Sequence, residues 1–377
     1  MTSVSDVLFR PFRHGMLDLS SRVVMAPMTR SLSPGGVPGP DVAHYYRRRA
    51  ENGVGLIISE GTFVDHAGAS IDDNVPRFHG EKALEGWARV IREVHAAGGH
   101  MVPQLWHAGL IVPAPVEGIF EGEGGLRDDQ VGPSGMVGGP GVLPWKGTEP
   151  MSLADIDAVV EAFASAAVSA FRLGFDGVEL HAAHGYLIDQ FFWQDTNRRT
   201  DRYGGGIAER SSFAADIVRA IKDATPPDFP VILRISQWKQ HDFDTKMLAS
   251  PQELEAFLSP LVDAGVDIFH CSQRRYWQPE FEGSDLNLAG WVRRLSSLPT
   301  ISVGSVGLKD DLLATLFAGK GTEGTGIDRL LAMMERGDFD LIAVGRALLA
   351  DPEWLAKVRV GDTASIRPYT VESLKTL

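Results

Sequence analysis

The feature that most restricts how this chain can fold is a series of eight short apolar segments, each followed by a helical pattern. The segments are rich in β-branched residues and occupy residues 22–28, 55–61, 100–106, 177–183, 230–236, 267–273, 300–306 and 341–347. Continuous apolar strands are typical of a parallel sheet that is covered on both faces. The eight strand–helix units therefore predict an α/β protein of the (β/α)₈, or TIM barrel, class.

The segment after the first strand favours the barrel over the alternative, a doubly wound sheet, and other local patterns indicate where helices begin. Such a sheet binds phosphate through a glycine-rich turn after its first strand, and "RVVMAPMTRS" at 22–31 contains no glycine. Ser152 with Asp155, and Ser250 with Glu253, have the spacing of helix N-terminal caps. Amphipathic stretches that predict helices between the strands lie at residues 81–99, 152–174, 207–224 and 250–265.

We expect a single domain over residues 1–377, because no linker divides the chain. The length beyond a minimal barrel falls in three places. They are a Gly/Pro-rich loop after strand three (107–150), a loop after strand six (272–291) and an insertion near helix seven (319–326). Long loops of this kind are usually lids or disordered segments rather than new domains.

The acidic composition narrows the classes of partner. A formal net charge of -13 and a pI of about 5.3 repel nucleic acid and anionic membrane surfaces, so we expect a small-molecule ligand. No apolar run approaches the ~20 residues that span a bilayer, and the N-terminus lacks the pattern of a secretory signal. These features predict a soluble, cytoplasmic protein, and they leave open whether it forms a homo-oligomer.

Cysteine usage bears on redox chemistry. The chain has one cysteine, Cys271. A single cysteine excludes an internal disulfide, a Cys-rich zinc site and a four-cysteine iron–sulfur cluster. Any redox activity therefore requires a cofactor from outside the chain.

The side chains suited to binding a ligand gather where the predicted strands end. In a TIM barrel, catalytic residues come from these carboxyl ends. An open end of the barrel that is lined by such side chains is suited to a polar ligand. A lone threonine such as Thr29 more often has a structural role there, as a hydrogen-bond partner of loop backbone groups. The residues are Thr29, Glu60, Gly61, Gln104, Trp106, His181, His184, Tyr186, Arg234, Gly304, Ser305, Gly345 and Arg346.

Two of these positions suggest an anionic ligand. Arg234 lies within an otherwise apolar strand, and a buried guanidinium cannot lose its proton, so it needs an anion or a strongly polar partner. Gly304–Ser305 and Gly345–Arg346 follow strands seven and eight, where barrels of this class bind phosphate through backbone N–H groups. A surface turn is the alternative for the second pair.

The stretch "VELHAAHGYLIDQFF" at 178–192 places His181, His184 and Tyr186 at the end of strand four. A metal site would need a third ligand, and none is evident among nearby acidic residues, so no metal is predicted. A polar core cluster would need hydrogen-bond partners of its own. The interpretation that fits best is a site where two imidazoles polarise one oxygen and the phenol donates a proton to a neighbouring carbon.

Four motifs resemble those of the old yellow enzyme family of FMN-dependent ene-reductases. They are "VVMAPMTR", "QLWHAG", "GVELHAAHGYLIDQFFWQDTNRRTDRYGG" and "AVGRALLADPEW", and the similarity covers almost the entire chain. The resemblance implies a non-covalently bound FMN, reduced by NADH or NADPH. It also implies a threonine, Thr29, at a position where another branch of the family has cysteine.

The resemblance assigns cofactor contacts to individual residues. Ala26, Pro27, Met28 and Thr29 would pack on the isoalloxazine ring, with the Thr29 hydroxyl near flavin O4. Gly61 and Gln104 would hydrogen-bond the pyrimidine edge. Arg234 would lie near N1 and O2, where the reduced ring carries negative charge. The phosphate would be held by Gly304, Ser305, Gly345 and Arg346.

The resemblance also implies a reaction. His181 and His184 would bind the oxygen of an α,β-unsaturated carbonyl or nitro compound, flavin N5 would deliver hydride to the β-carbon, and Tyr186 would protonate the α-carbon in a ping-pong cycle. Trp106 is expected to contact the substrate, and Trp277 either contacts it or packs within its own loop. The loops at 236–243 and 272–291 differ from those of well-known ene-reductases, which leaves substrate preference open.

Two rival functions remain at this stage. A cluster-free flavin-dependent amine demethylase would need the same hydride transfer. A non-redox phosphate-binding barrel such as an aldolase belongs to a different class and would be supported by a lysine at a strand end, but Lys146 and Lys239 lie in loops. The physiological substrate and the preference for NADH or NADPH stay open.

Overall fold

Eight parallel strands close into a barrel, and each predicted segment supplies one of them. The computed structural model describes residues 4–111, 126–139, 142–240, 242–311, 315 and 318–377. In chain order the described strands are β1 (Phe12–His14), β2 (Leu17–Leu19), β3 (Val23–Met25), β4 (Leu56–Phe63), β5 (His100–Trp106), β6 (Met136–Gly139), β7 (Val142–Lys146), β8 (Val178–His181), β9 (Val231–Ser236), β10 (Ile268–Ser272), β11 (Thr300–Val303) and β12 (Leu341–Val344). The barrel consists of β3, β4, β5, β8, β9, β10, β11 and β12, so the prediction of a TIM barrel is confirmed.

Helices connect the strands around the outside of the barrel. In the described part of the chain the α-helices are α1 (Pro40–Glu51), α2 (Glu81–Ala96), α3 (Leu153–Leu173), α4 (Leu187–Phe192), α5 (Ile207–Arg210), α6 (Ser212–Ala224), α7 (Pro251–Asp263), α8 (Leu288–Ser296), α9 (Asp328–Glu335), α10 (Arg346–Ala350) and α11 (Trp354–Val360). The predicted stretches 81–99, 152–174 and 250–265 form α2, α3 and α7, and the stretch 207–224 is divided into α5 and α6 at Ser211. Among the described helices, none is both long enough and apolar enough to cross a membrane.

An apolar plug fills the amino-terminal end of the barrel. The antiparallel hairpin β1–β2 lies there, and the N–H of Met16 at its tip donates to the carbonyl of Asp228, just before β9 (2.9 Å). The hairpin and the barrel interior share one buried apolar cluster, which includes Phe12, Leu17, Leu19, Leu56, Ile58, Val102, Ile232, Ile268 and Ile301. Because this end is filled with side chains, the carboxyl ends of the strands form the mouth.

The long connections fall where the sequence indicates. Within the loop after strand three, β6 and β7 pair as an antiparallel hairpin that the sequence did not predict. Residues 112–125 of that loop lie outside the described residues. The insertion at 319–326 lies between β11 and α9.

Helix α3 begins at a capping box. The Ser152 hydroxyl accepts from the Asp155 N–H (3.1 Å), and the Asp155 carboxylate accepts from the Ser152 N–H (2.8 Å). Two N–H groups that the first helical turn leaves without intrahelical partners are thus paired. The helix ends at Gly174, whose φ of 91° is left-handed.

Replacing Ser152 with Ala should lower the free energy of unfolding by about 1 kcal/mol, because the Asp155 N–H loses its acceptor. Urea unfolding followed by circular dichroism measures the change. Ser165→Ala is the matched control, since Ser165 is exposed on the same helix and its hydroxyl donates only to the Glu161 side chain (3.2 Å). Equal losses in the two variants would contradict the capping role.

Candidate functional site

A cavity of about 260 Å³ opens at the mouth of the barrel. Its walls come from the carboxyl ends of the strands and from the loops that follow them. Most of the residues selected from the sequence lie on these walls, so the structure brings together positions from the whole length of the chain. They are Ala26, Pro27, Met28, Thr29, Gln104, His181, His184, Tyr186, Arg234, Gly304, Ser305, Gly345 and Arg346.

Four other selected residues are placed differently, and one of them, Glu60, is described below with the turn that carries Thr29. Gly61 and Trp106 lie behind the wall: a Cβ at Gly61 would approach Cε3 of Trp106 to 2.6 Å, and the Trp106 ring meets the Tyr186 ring edge-on at 4.7 Å. Trp277 is not among the described residues that line the cavity. Its ring packs edge-on against Tyr276 at 5.0 Å, as expected of an aromatic residue that packs its own loop.

The two histidines meet at right angles on one side of the cavity. Their ring centroids are 5.1 Å apart with an interplanar angle of 86°. His184 has a left-handed φ of 68°, a costly conformation for a residue with a Cβ and one that often marks a functional site. Its N–H donates to Ser236 Oγ (3.0 Å), and its Nε2 lies 2.8 Å from Ser272 Oγ. Nδ1 of His181 is buried and has no hydrogen-bond partner among the described residues.

Both imidazoles are neutral at pH 7. Burial, followed by the positive charge of Arg234, lowers the pKa of His181 and of His184 well below the ordinary value. A neutral imidazole carries one N–H donor and one acceptor nitrogen. The pair can therefore donate to an oxygen in the cavity without bringing positive charge to it.

Tyr186 immediately precedes α4 in the chain, and its ring lies beside the two histidines. Its ring centroid is 4.9 Å from that of His181. Burial raises the pKa of Tyr186, so the phenol keeps its proton at neutral pH. The phenol oxygen accepts a hydrogen bond from Nε2 of Gln240 (2.6 Å), a cavity residue that the sequence analysis did not single out. Because Gln240 is the donor, the Tyr186 O–H remains available to donate elsewhere.

Arg234 is a buried cation that the protein only partly satisfies. Its Nη2 lies 3.5 Å from Ser272 Oγ, and its Nε is buried and unpaired within the described part of the chain. Burial lowers the pKa of Arg234, and the nearby carboxylate of Glu179 raises it. A guanidinium at the cavity wall with an unpaired N–H is suited to a ligand that carries negative charge.

The far end of the cavity has an unusual backbone. Gly304 has a φ of 146°, and a Cβ there would lie 2.5 Å from the Gln273 carbonyl oxygen. Ser305 is left-handed, with a φ of 52°. Arg346 donates to the carbonyls of Asp311 (3.0 Å) and Asp310 (3.1 Å), to Ser305 Oγ (3.3 Å) and to Thr315 Oγ1. These bonds fix both the segment that follows β11 and the guanidinium itself.

The turn that carries Thr29 is held from behind. The Glu60 carboxylate accepts from the N–H groups of Arg30 (2.8 Å) and Ser31 (3.3 Å). Nη2 of Arg30 donates to the carbonyls of residues 373, 374 and 376, at 3.2, 2.9 and 2.8 Å. Arg30 thus joins this turn to the C-terminal segment, whose Tyr369 and Leu374 also line the cavity. The sequence analysis missed both residues, because they follow no strand.

Aromatic rings from the loop after β9 cover part of the mouth. Trp238 stacks on His184 with centroids 4.4 Å apart, and Phe243 stacks on Trp238 at 5.2 Å; both interplanar angles are 25°. The Trp238 indole N–H donates to the Ser272 carbonyl (3.2 Å), which fixes the stack. The sequence feature that could have identified these two residues is the cluster of aromatic and amide residues at 236–243.

Comparison with known proteins places the chain among flavoenzymes. The NADH:flavin oxidoreductase / NADH oxidase family matches residues 7–364. The chain belongs to this family, that of the old yellow enzymes. The 12-oxophytodienoate reductase 7 of Oryza sativa subsp. japonica is 32% identical over 379 residues, covering 98% of this chain and 91% of the relative. The NADH oxidase of Thermoanaerobacter brockii is 33% identical over 372 residues, covering 96% of this chain and 52% of the relative.

A solved structure supports the same assignment. Morphinone reductase in complex with tetrahydroNAD matches with a TM-score of 0.74 at 28% identity, covering 97% of this chain and 93% of that one. The present chain is therefore an FMN-dependent NAD(P)H oxidoreductase, as its motifs indicate. The cavity fits this cofactor, because it combines Nε of Arg234, which has no partner among the described residues, with a glycine-containing segment at its far end that Arg346 braces.

Replacing Glu60 with Gln should change how stability depends on pH. Burial raises the pKa of Glu60 from 4.5 to about 7, so between these values the folded protein binds more protons at this group than the unfolded chain. The stabilisation from this group is complete below the unfolded pKa and is lost as the pH rises through the folded pKa, by roughly 3 kcal/mol in total. Urea unfolding of both proteins between about pH 5 and pH 8 measures the difference.

Asp189 serves as an internal control in this experiment. Burial raises its pKa to about 7 as well, and it is present in both proteins, so their difference isolates Glu60. We expect the parent to lose stability relative to Glu60→Gln as the pH rises. A difference that stays constant across the range would contradict the raised pKa.

Proposed function

We propose that this oxidoreductase is an ene-reductase, which reduces the activated C=C bond of α,β-unsaturated carbonyl or nitro compounds with electrons from NADH or NADPH. The observation that carries the proposal is the cluster of His181, His184 and Tyr186 on one wall of the cavity, with two neutral imidazoles next to a protonated phenol. The names of two relatives, 12-oxophytodienoate reductase and morphinone reductase, are in keeping with reduction of organic substrates.

The cofactor assignments from the sequence suit the positions of the residues. When bound, FMN takes hydride from the nicotinamide and supplies it to the substrate. With FMN bound, Arg234 would supply a fixed positive charge next to the reduced ring, and Arg346 would hold the phosphate. The cavity residues proposed to hold FMN are Ala26, Pro27, Met28, Thr29, Gln104, Arg234, Gly304, Ser305, Gly345 and Arg346. Gly61 lies behind the wall in register with Gln104 and is proposed as a further contact at the pyrimidine edge.

On the substrate side, His181 and His184 donate N–H groups to the carbonyl or nitro oxygen. Donors already in place where negative charge develops stabilise the transition state without reorganisation. Tyr186 gives its proton to the substrate carbon, and the Gln240 amide stabilises the phenolate that remains. Trp106 holds the rings of His181 and Tyr186 from behind, and Trp277 packs its loop outside the cavity.

The alternative within the same fold is flavin-dependent amine demethylation. Oxidation of a C–N bond needs hydride removal but no proton delivered to carbon, so it has no use for a phenol kept protonated at the cavity wall. The placement of Tyr186 therefore favours the ene-reductase.

Tyr186→Phe should separate the two halves of the catalytic cycle. Flavin reduction by NAD(P)H should survive, while reduction of cyclohexenone should slow by ~10²–10⁴-fold, the range typical of general acid catalysis. Nitroalkenes that do not require a proton on carbon in the same step should be affected much less. Stopped-flow reduction and reoxidation of the flavin measures each half-reaction.

Tyr276→Phe is the matched control, because Tyr276 is buried in a nearby loop and does not line the cavity. Near-parent rates with cyclohexenone in Tyr186→Phe would refute Tyr186 as the proton donor. Equal losses on every substrate would instead assign Tyr186 a packing role.

Gln240→Leu should weaken Tyr186 as an acid. The amide of Gln240 acts to lower the pKa of Tyr186, so its loss raises that pKa further. We expect reoxidation by cyclohexenone to slow by roughly 10-fold, as for loss of a hydrogen bond to a charged group, with little change for nitroalkenes. Gln278→Leu, at an exposed position of the neighbouring loop, controls for general effects. An equal decrease with both substrate classes would contradict a role through Tyr186.

A further inference from the structure

Three neighbouring barrel strands place Gly61, Gln104 and Glu179 side by side. Gly61 of β4 is in register with Gln104 of β5, and Gln104 is in register with Glu179 of β8. The Gln104 amide Nε2 donates to Glu179 Oε1 (2.8 Å). Gln104 reaches the cavity wall, whereas Glu179 is fully buried behind it and takes no part in the reaction described above.

A second donor holds the other oxygen of Glu179. Nδ1 of His270, from β10, lies 2.7 Å from Glu179 Oε2. Burial lowers the pKa of His270, so the ring is neutral and its single N–H lies on the nitrogen that faces the carboxylate. Its Nε2 is then the unprotonated nitrogen, which fits the lack of a partner for that atom among the described residues. Both oxygens of Glu179 are therefore acceptors.

This arrangement determines which way the Gln104 amide points. An ionised carboxylate can only accept, so the NH₂ group of Gln104 must face Glu179 and the amide oxygen must face away. On that opposite side the oxygen lies next to Gly61, where a Cβ would approach it to 3.3 Å. The amide oxygen of Gln104 is thus held on the side away from Glu179, where it can accept a hydrogen bond from a ligand.

We propose that Glu179 is a positioning residue of the cofactor site, which fixes Gln104 so that its amide oxygen accepts the single N–H of the flavin pyrimidine edge. The inference rests on the proposed contact between Gln104 and that edge, and it is independent of the ene-reductase reaction. With the amide reversed, two N–H donors would face each other and FMN would bind more weakly. The alternative is that Glu179 only satisfies buried polar groups of the barrel.

The test compares FMN release from four holoproteins: the parent, Glu179→Gln, Gln104→Glu and the exchanged pair that carries both substitutions. Release after dilution is followed by the fluorescence of free flavin. In Glu179→Gln the amide of Gln104 is no longer fixed, so release should be faster by roughly 10-fold. Gln104→Glu places two carboxylates face to face and should release FMN faster still.

The exchanged pair distinguishes the proposal from a purely structural role. In that protein the amide introduced at position 179 donates to the carboxylate introduced at position 104, which keeps an acceptor for the flavin N–H. We expect release from the exchanged pair to be slower than from Gln104→Glu alone, by roughly 10-fold. Release from the pair that is as fast as, or faster than, release from Gln104→Glu would overturn the proposal.

Two further measurements keep the result interpretable. Thermal unfolding of each protein shows whether a variant is folded, and the comparison of the pair with Gln104→Glu remains decisive if Glu179→Gln alone does not fold.

Thr300→Val is the matched control, since Thr300 is a buried polar residue of β11 outside the cavity wall and should leave FMN release unchanged. Faster release from Thr300→Val, equal to that from Glu179→Gln, would also overturn the proposal.

Discussion

Closure of eight parallel strands into a barrel is the constraint on which the site depends. β12 pairs with β3 as well as with β11, so the barrel has no free edge and all eight carboxyl ends reach one mouth. The β1–β2 hairpin fills the opposite end with apolar side chains. Residues as distant in sequence as Thr29 and Arg346 line one cavity for this reason.

Closure of the barrel also buries ionisable side chains that are normally solvated. Some of these side chains stay neutral, and one stays charged. The imidazoles of His181 and His184 stay neutral, and the Tyr186 phenol keeps its proton, because burial penalises the charged form of each. The guanidinium of Arg234 cannot become neutral at physiological pH, so its charge has to be matched by Glu179 and by a ligand. The fixed positive charge of Arg234 next to neutral hydrogen-bond donors is an environment suited to ligand groups that gain negative charge during a reaction.

The strands and most of the site could be predicted from the sequence because both follow the backbone pattern. A buried parallel strand needs a continuous apolar run, and polar residues near the carboxyl end of such a run, such as Arg234, are expected at the mouth. Trp238 and Gln240 could not be placed in this way, since they lie in a loop whose course depends on contacts with His184 and Tyr186. For the same reason, the sequence left open whether Trp277 contacts the substrate or packs within its own loop.

The described residues of the loops at 236–248 and 272–287 are joined through one buried carboxylate, and this bears on specificity. The buried carboxylate of Glu280, in the second loop, accepts from Gln237 Nε2 (3.2 Å) and pairs with Lys246 Nζ (3.0 Å) of the first, and it accepts from Gln273 Nε2 (3.3 Å) of its own loop. Removing the partners of a buried carboxylate is strongly destabilising. A change in one loop must therefore be accommodated by the other, so that Trp238 and Gln273, which line the cavity from different loops, determine the shape of the mouth jointly.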